Sequence, residues 1–220
     1  MLNGSYHPGV AGSPLMALLA TPGVLPAGTP PPAVAERLGH WLRWTGAISL
    51  AAALEAAPRP RGAYETATHP AVHAEAFERV RAALQAAIDA GCGEPASAPA
   101  DFAPYRRHCL AQQQAMQNAV AALRRQLRDA LALQSPALAR LAAIDAVMDQ
   151  ALAAEERQLL GLVLRRLQSR FDALHASAGE PAAALGVFHQ EMARLLRAEL
   201  AHRLLPAQGL LAALQAGPSP

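Results

Sequence analysis

The chain is predicted to be all-α, an elongated antiparallel helical bundle built on a long α-hairpin, and three observations lead to that reading. Its hydrophobic content of 52% is mostly Ala and Leu, because aromatic residues supply only 4% of the 220 residues. Ala and Leu stand high on the helix-propensity scale, whereas the β-branched and aromatic residues that favour strands are scarce here. Apolar residues recur at spacings of three and four through most of the chain, which is the period of one helical face. Between those runs lie short Pro- and Gly-containing breaks, with no repeat of roughly 20 to 50 residues that would signal a solenoid.

The elements follow in order. Residues 1–32 are rich in Pro and Gly and end in Thr29-Pro30-Pro31-Pro32, which predicts a flexible arm. Inside the arm, Ser13 as N-cap and Pro14 in the first helical position predict a short docking helix with Leu15, Leu18 and Leu19 on its apolar side. Residues 33–216 are expected to form a single helical domain, and 217–220 a tail. The first long helix is expected from Pro32 to about Ala57, with Val34, Leu38, Trp41, Thr45 and Ile48 on one face and Leu42 beside them. Gly46 is a place for it to bend, and Pro58–Gly62 ends it, since Pro lacks the donor a helix needs.

A second helix is predicted over Pro70–Ala90, with Phe77, Val80, Leu84 and Ile88 on one face; Gly91–Ala100 reads as a linker. From Asp101 as N-cap, a helix of about 50 Å runs to about Leu133 through Tyr105, Cys109, Met116, Val120, Leu123, Leu127 and Leu131. Ser135 and Pro136 then restart the chain as a fourth helix to about Ala176, with Gly161 its weak point. So short a connection folds the two long helices back on one another. A fifth helix is expected from Pro181 to Leu205, stopped by Pro206, with a short final helix holding Leu210, Leu211 and Leu214.

Charge excludes little but guides the choice of partner. The net charge is +2, and every basic residue is Arg, so no general electrostatic pull on nucleic acid or membrane is expected. Two cysteines, Cys92 and Cys109, are too few for a disulfide framework and suit a reducing cytoplasm. No Arg or Lys precedes Arg37, so the apolar stretch Ser13–Ala20 is not expected to be a signal peptide. Arg124, Arg125 and Arg128 on one long helix and Arg165, Arg166 and Arg170 on its neighbour are candidate phosphate-binding residues if they share a face. The alternative is a solvated face or intramolecular pairing, because Asp129 and Asp172 adjoin them and no aromatic residue interleaves for base stacking.

Catalytic and metal signatures are weak. His69 and His73 are four apart, but Pro70 places His69 at or before the helix start and no third ligand follows at metal spacing. Cys109 fits the apolar stripe as a small buried hydrophobe, and His108, its neighbour in sequence, points about 100° away on a helix, so no base is indicated for it. Glu155 and Glu156 read as a solvated face, while Asp145 and Asp149, four apart, repel unless a cation such as Arg140 or Arg194 compensates. No Gly-rich phosphate loop or nucleophile elbow occurs. The expectation is a non-enzyme with no cofactor and no metal.

Both tryptophans, Trp41 and Trp44, fall on one turn and are three apart, so their rings share a helical face. With Thr45 and Ile48 they are candidate anchors, either of the core or of a protein interface.

The stretch Glu36–Leu54, "ERLGHWLRWTGAISLAAAL", resembles the signature W-L-x-W-T-D-A-I-x-L of a proteobacterial family of unknown function, departing from it at Gly46 where the family has Asp. The similarity continues through "RRHCLAQQQAMQNAVAALRRQLR" and "AELAHRLLPAQGLLAAL", covering most of residues 34–214. That resemblance implies a cytoplasmic accessory component of type III Zorya-like antiphage systems, beside a MotA/TolQ-like proton channel and an OmpA-like partner. It implies no catalytic residue. The function expected is a helical adaptor whose partner is a neighbouring cytoplasmic subunit or the channel's cytoplasmic tail; the alternative is a nucleic-acid-binding effector using the Arg clusters.

Overall fold

The computed structural model describes Leu15, Leu18, residues 51, 52, 54 and 55, and residues 70–91, 101–177 and 181–217. Every regular element among them is an α-helix, and the fold is all-α. In chain order the long helices are α1 (Pro70–Asp89), α2 (Ala103–Gln134), α3 (Pro136–Ser177) and α4 (Pro181–Ala216). At ~1.5 Å per residue, α3 is about 63 Å long, so it requires neighbours along much of its length.

The ends of α1, α2 and α3 are set by local chemistry. Gly91, at φ +65, takes the left-handed position after α1, and its N–H donates to the carbonyl of Ile88 at 3.1 Å. At the start of α2, Asp101 Oδ1 accepts the N–H of Ala103 at 3.1 Å, and Pro104 occupies the first turn, where its missing N–H costs nothing. One extended residue, Ser135 at φ −159 and ψ 159, separates α2 from α3. Its Oγ accepts the N–H of Leu138 at 3.2 Å, the N-cap role expected of it.

That single residue reverses the chain. Arg128 bonds Asp145, Arg124 bonds Asp149, and Gln113 reaches the carbonyl of Leu160, so all three contacts share one antiparallel register along α2 and α3. The return helix α4 lies antiparallel to α3, through Phe171–Phe188 and Arg203–Glu156, and therefore parallel to α2, through Tyr105–Phe188 and Gln113–Glu199. The remaining helix, α1, packs against both α2 and α4.

The core follows the apolar stripes. From α2 it takes Tyr105, Cys109, Met116, Val120, Leu123, Leu127 and Leu131; from α3, Leu160, Val163, Leu167 and Phe171; from α4, Phe188, Met192, Leu196, Leu200, Leu204, Leu210 and Leu214. Phe77, Leu84 and Ile88 face it from α1. Leu15 is helical and wholly buried in the same core, and Leu18 is half-buried against it.

The helix predicted to end before Pro206 does not. α4 passes through it and continues to Ala216. An interior Pro costs about 3 kcal/mol by removing one hydrogen bond and crowding the preceding turn. Burying Leu210 and Leu214 beyond it, at about 1.5–3 kcal/mol each, offsets that cost. Packing overrides propensity here.

Candidate functional site

Charge inside the bundle is the feature that the apolar pattern does not require. Glu199 on α4 is completely buried among leucines. Its Oε2 accepts from Gln113 Nε2 of α2 at 2.8 Å, and its Oε1 accepts from Arg203 Nε, one turn on, at 2.9 Å. Gln113 Nε2 also lies 3.3 Å from the carbonyl of Leu160, tying α3 to the same point. Arg203 is itself nearly buried, and its other side faces Glu156 of α3 at 3.6 Å. One guanidinium therefore serves two carboxylates. Burial pushes the Glu199 carboxyl above its ordinary value, against the opposing pull of Gln113 and Arg203. His202 sits beside the group, and burial lowers its pKa.

Nearer the chain reversal a second network joins α2 to α3. Arg124 bonds Asp149 at 2.6 Å and Asp145 at 2.7 Å, while Arg128 reaches Asp145 at 3.0 Å and Asp149 at 3.3 Å. The repulsion between Asp145 and Asp149 is thus compensated from α2, not by Arg140 or Arg194. On the other side of α3, Arg170 bonds Glu191 of α4 at 2.7 Å, with Arg166 3.9 Å from the same carboxylate. Arg125 and Arg165 are exposed. The six arginines do not form one outward stripe: two clamp α2 to α3, two face a carboxylate of α4, and two face solvent.

At the far end of the bundle, Phe102, Tyr105, Phe171 and Phe188 converge. Tyr105 and Phe188 meet edge-on with centroids 5.0 Å apart, and Phe171 and Phe188 at 5.4 Å. Histidines rim the cluster: His175 lies 4.3 Å from Phe171, and His189 5.5 Å from Tyr105. Burial first, then the neighbouring His189, lowers the pKa of His108. Among the described residues no three His, Cys, Asp or Glu side chains are placed to hold a metal. A shallow cleft of about 370 Å³ lies between the end of α1 and α4, but its charged walls, Asp89 and Arg197, already pair at 2.6 Å.

Trp41, Trp44, Thr45 and Ile48 lie outside the described residues, as do His69 and Cys92. Cys109 is buried in the core, the place its stripe predicts. Glu156, expected on a solvated face, instead reaches Arg203. Glu199 was legible in principle: it stands one heptad after Met192 and three residues after Leu196, inside the apolar stripe of α4. The convergence of the four aromatic rings required the antiparallel register and left no local signal.

Among the described residues no helix is long and apolar enough to span a bilayer. The family described as proteins of unknown function, DUF3348, matches residues 1–216, and the chain belongs to it. No curated protein matches the chain, and no solved structure does.

Proposed function

We propose that this family member is a non-enzymatic helical adaptor, an accessory subunit that binds a protein partner along the flank of its long hairpin. The observation that carries this reading lies at the chain reversal. Leu133 on α2 and Leu141 on α3 stand at nearly the same level of the hairpin, each 37% exposed. From Leu141 the stripe continues along α3 through Ile144, Met148 and Leu152, all only half-buried. No described side chain between Ala142 and Leu160 is fully buried. A continuous apolar flank at the tip of a rigid hairpin suits the groove of a partner or a partner's amphipathic helix.

The resemblance carried by Glu36–Leu54 supplies the setting we propose. In it the chain is a cytoplasmic component of a type III Zorya-like antiphage system. Its partner is a neighbouring cytoplasmic subunit or the cytoplasmic tail of the MotA/TolQ-like channel that stands beside an OmpA-like protein. Nucleic-acid binding is less well supported, because Arg124, Arg128, Arg166 and Arg170 already meet carboxylates within the chain. Co-expression of the tagged chain with its gene neighbours tests the reading. A stoichiometric complex with one of those proteins is expected. A chain that purifies alone, or one that binds DNA or RNA with steep salt dependence, contradicts it.

A further inference from the structure

We infer that the outer side of α3 is the seat of the chain's own tryptophan segment, residues 34–48. Burial along α3 carries the inference. Ala142 and Leu160 are buried and mark the side of α3 that faces the core. Ala151 is nine residues from each of them, about two and a half turns at ~3.6 residues per turn, so it points directly away from the core. It is nonetheless half-buried, and so is every one of residues 144–149. Six consecutive residues go more than once round a helix, so α3 is covered on all sides at this level.

The four long helices do not supply that cover. At this level α3 meets α2 through Asp149 and α4 through Glu156, which stand about 160° and 140° round the helix from Ala151. Among the described elements α1 packs against α2 and α4 only. The cover therefore comes from elsewhere in the chain. Residues 92–100 and 178–180 each join points near the aromatic end, and both are too short to run to Ala151, about 30 Å along α3 from Phe171, and back. Residues 1–14, 56–69 and 218–220 carry no apolar stripe, and residues 19–33 are broken by Pro22, Pro26 and Pro30 to Pro32. Residues 34–48 remain, with Val34, Leu38, Trp41, Thr45 and Ile48 at helical spacing. Just after them the chain is helical and exposed at residues 51, 52, 54 and 55. The two surfaces suit one another. Ala143, Ala151 and Ala154 leave a shallow trough beside Ile144, Val147 and Met148, and each indole brings about 150–250 Å² of surface to fill it.

This occupancy leaves Leu133 and Leu141 at the tip for a protein partner, so it narrows the adaptor's surface without depending on the adaptor reading. The purified chain alone tests it, because Trp41 and Trp44 are its only tryptophans and report on this segment directly. A nitroxide attached at Ala154→Cys stands one turn from Ala151 on the outer side of α3. One attached at Val187→Cys stands beside Phe188 at the aromatic end. Both positions are exposed, so the fold tolerates the label, and Cys92→Ser leaves the buried Cys109 as the remaining native thiol. The label at Ala154→Cys is expected to quench most of the tryptophan emission, and the label at Val187→Cys almost none. Equal quenching from the two sites, or none from the first, overturns the assignment. Chains labelled at Ala154→Cys that also carry Trp41→Phe and Trp44→Phe, mixed with unlabelled chains, are expected to quench nothing. Quenching in that mixture gives the seat to a second copy and overturns the assignment as well.

Discussion

Asp145 accepts from both Arg124 and Arg128, while Asp149, the more exposed of the two acids, shares the same pair of cations. Removing Asp145 leaves two largely buried guanidinium groups with one carboxylate between them. Asp145→Ala is therefore expected to cost about 2–4 kcal/mol in urea denaturation, and Asp149→Ala less, since breaking a buried pair strands its partner whereas an exposed one is already solvated. Equal losses for the two variants would argue against the geometry of the clamp. His108 supplies a pH effect of defined sign. Its lowered pKa means that its contribution to stability is present above pH 6.5 and lost as pH falls through the depressed value of the folded chain. His108→Gln is expected to reduce the stability lost between about pH 7 and pH 5; an unchanged loss assigns it to other groups. At this scale the sequence was only partly informative. The acids at 145 and 149 announce a need for a cation, but the identity of that cation depends on the hairpin register, which places Arg124 and Arg128 opposite them.

Helix boundaries were more readable than helix continuity. Pro70, Ser135 and Pro136 mark ends because their backbone chemistry acts locally, and α1, α2 and α3 fall within a residue or two of the expected limits. Pro206 was misleading for the opposite reason: its local cost is outweighed by leucines that bury themselves a turn and more beyond it. Two substitutions probe this level. Gly161→Ala is expected to stabilise the chain by about 1 kcal/mol, because it adds helix propensity and its methyl meets open space. Pro206→Ala returns a backbone N–H to the interior of α4 and is expected to stabilise by about 1–3 kcal/mol. Thermal melts check both, and a fall in melting temperature for either would mean that the strained helix is needed for packing.

For the whole molecule, the fold class and the antiparallel hairpin were legible because period, propensity and connection length agree. The partners of Glu199 and the aromatic end were not, since each needs three helices brought into register. Leu15 shows where the apolar side of the expected docking helix goes: a residue of the Pro- and Gly-rich arm is wholly buried in the core of the bundle. Leu15→Ala is expected to cost about 2–5 kcal/mol, the usual loss for a buried leucine; an unchanged denaturation midpoint would place the arm outside the cooperative unit.

The adaptor reading makes its own division at this scale, between the side chains that hold the bundle together and those along its flank that remain for a partner. The most direct measurement pairs the melting temperature with complex formation for the double variant Leu133→Glu/Leu141→Glu, co-expressed with the proteins of its gene neighbourhood. Both leucines are 37% exposed, so the melting temperature is expected to stay within a few degrees of the unmodified chain while the complex is lost. A variant that keeps its partner at unchanged stoichiometry, or one that unfolds, would contradict the account.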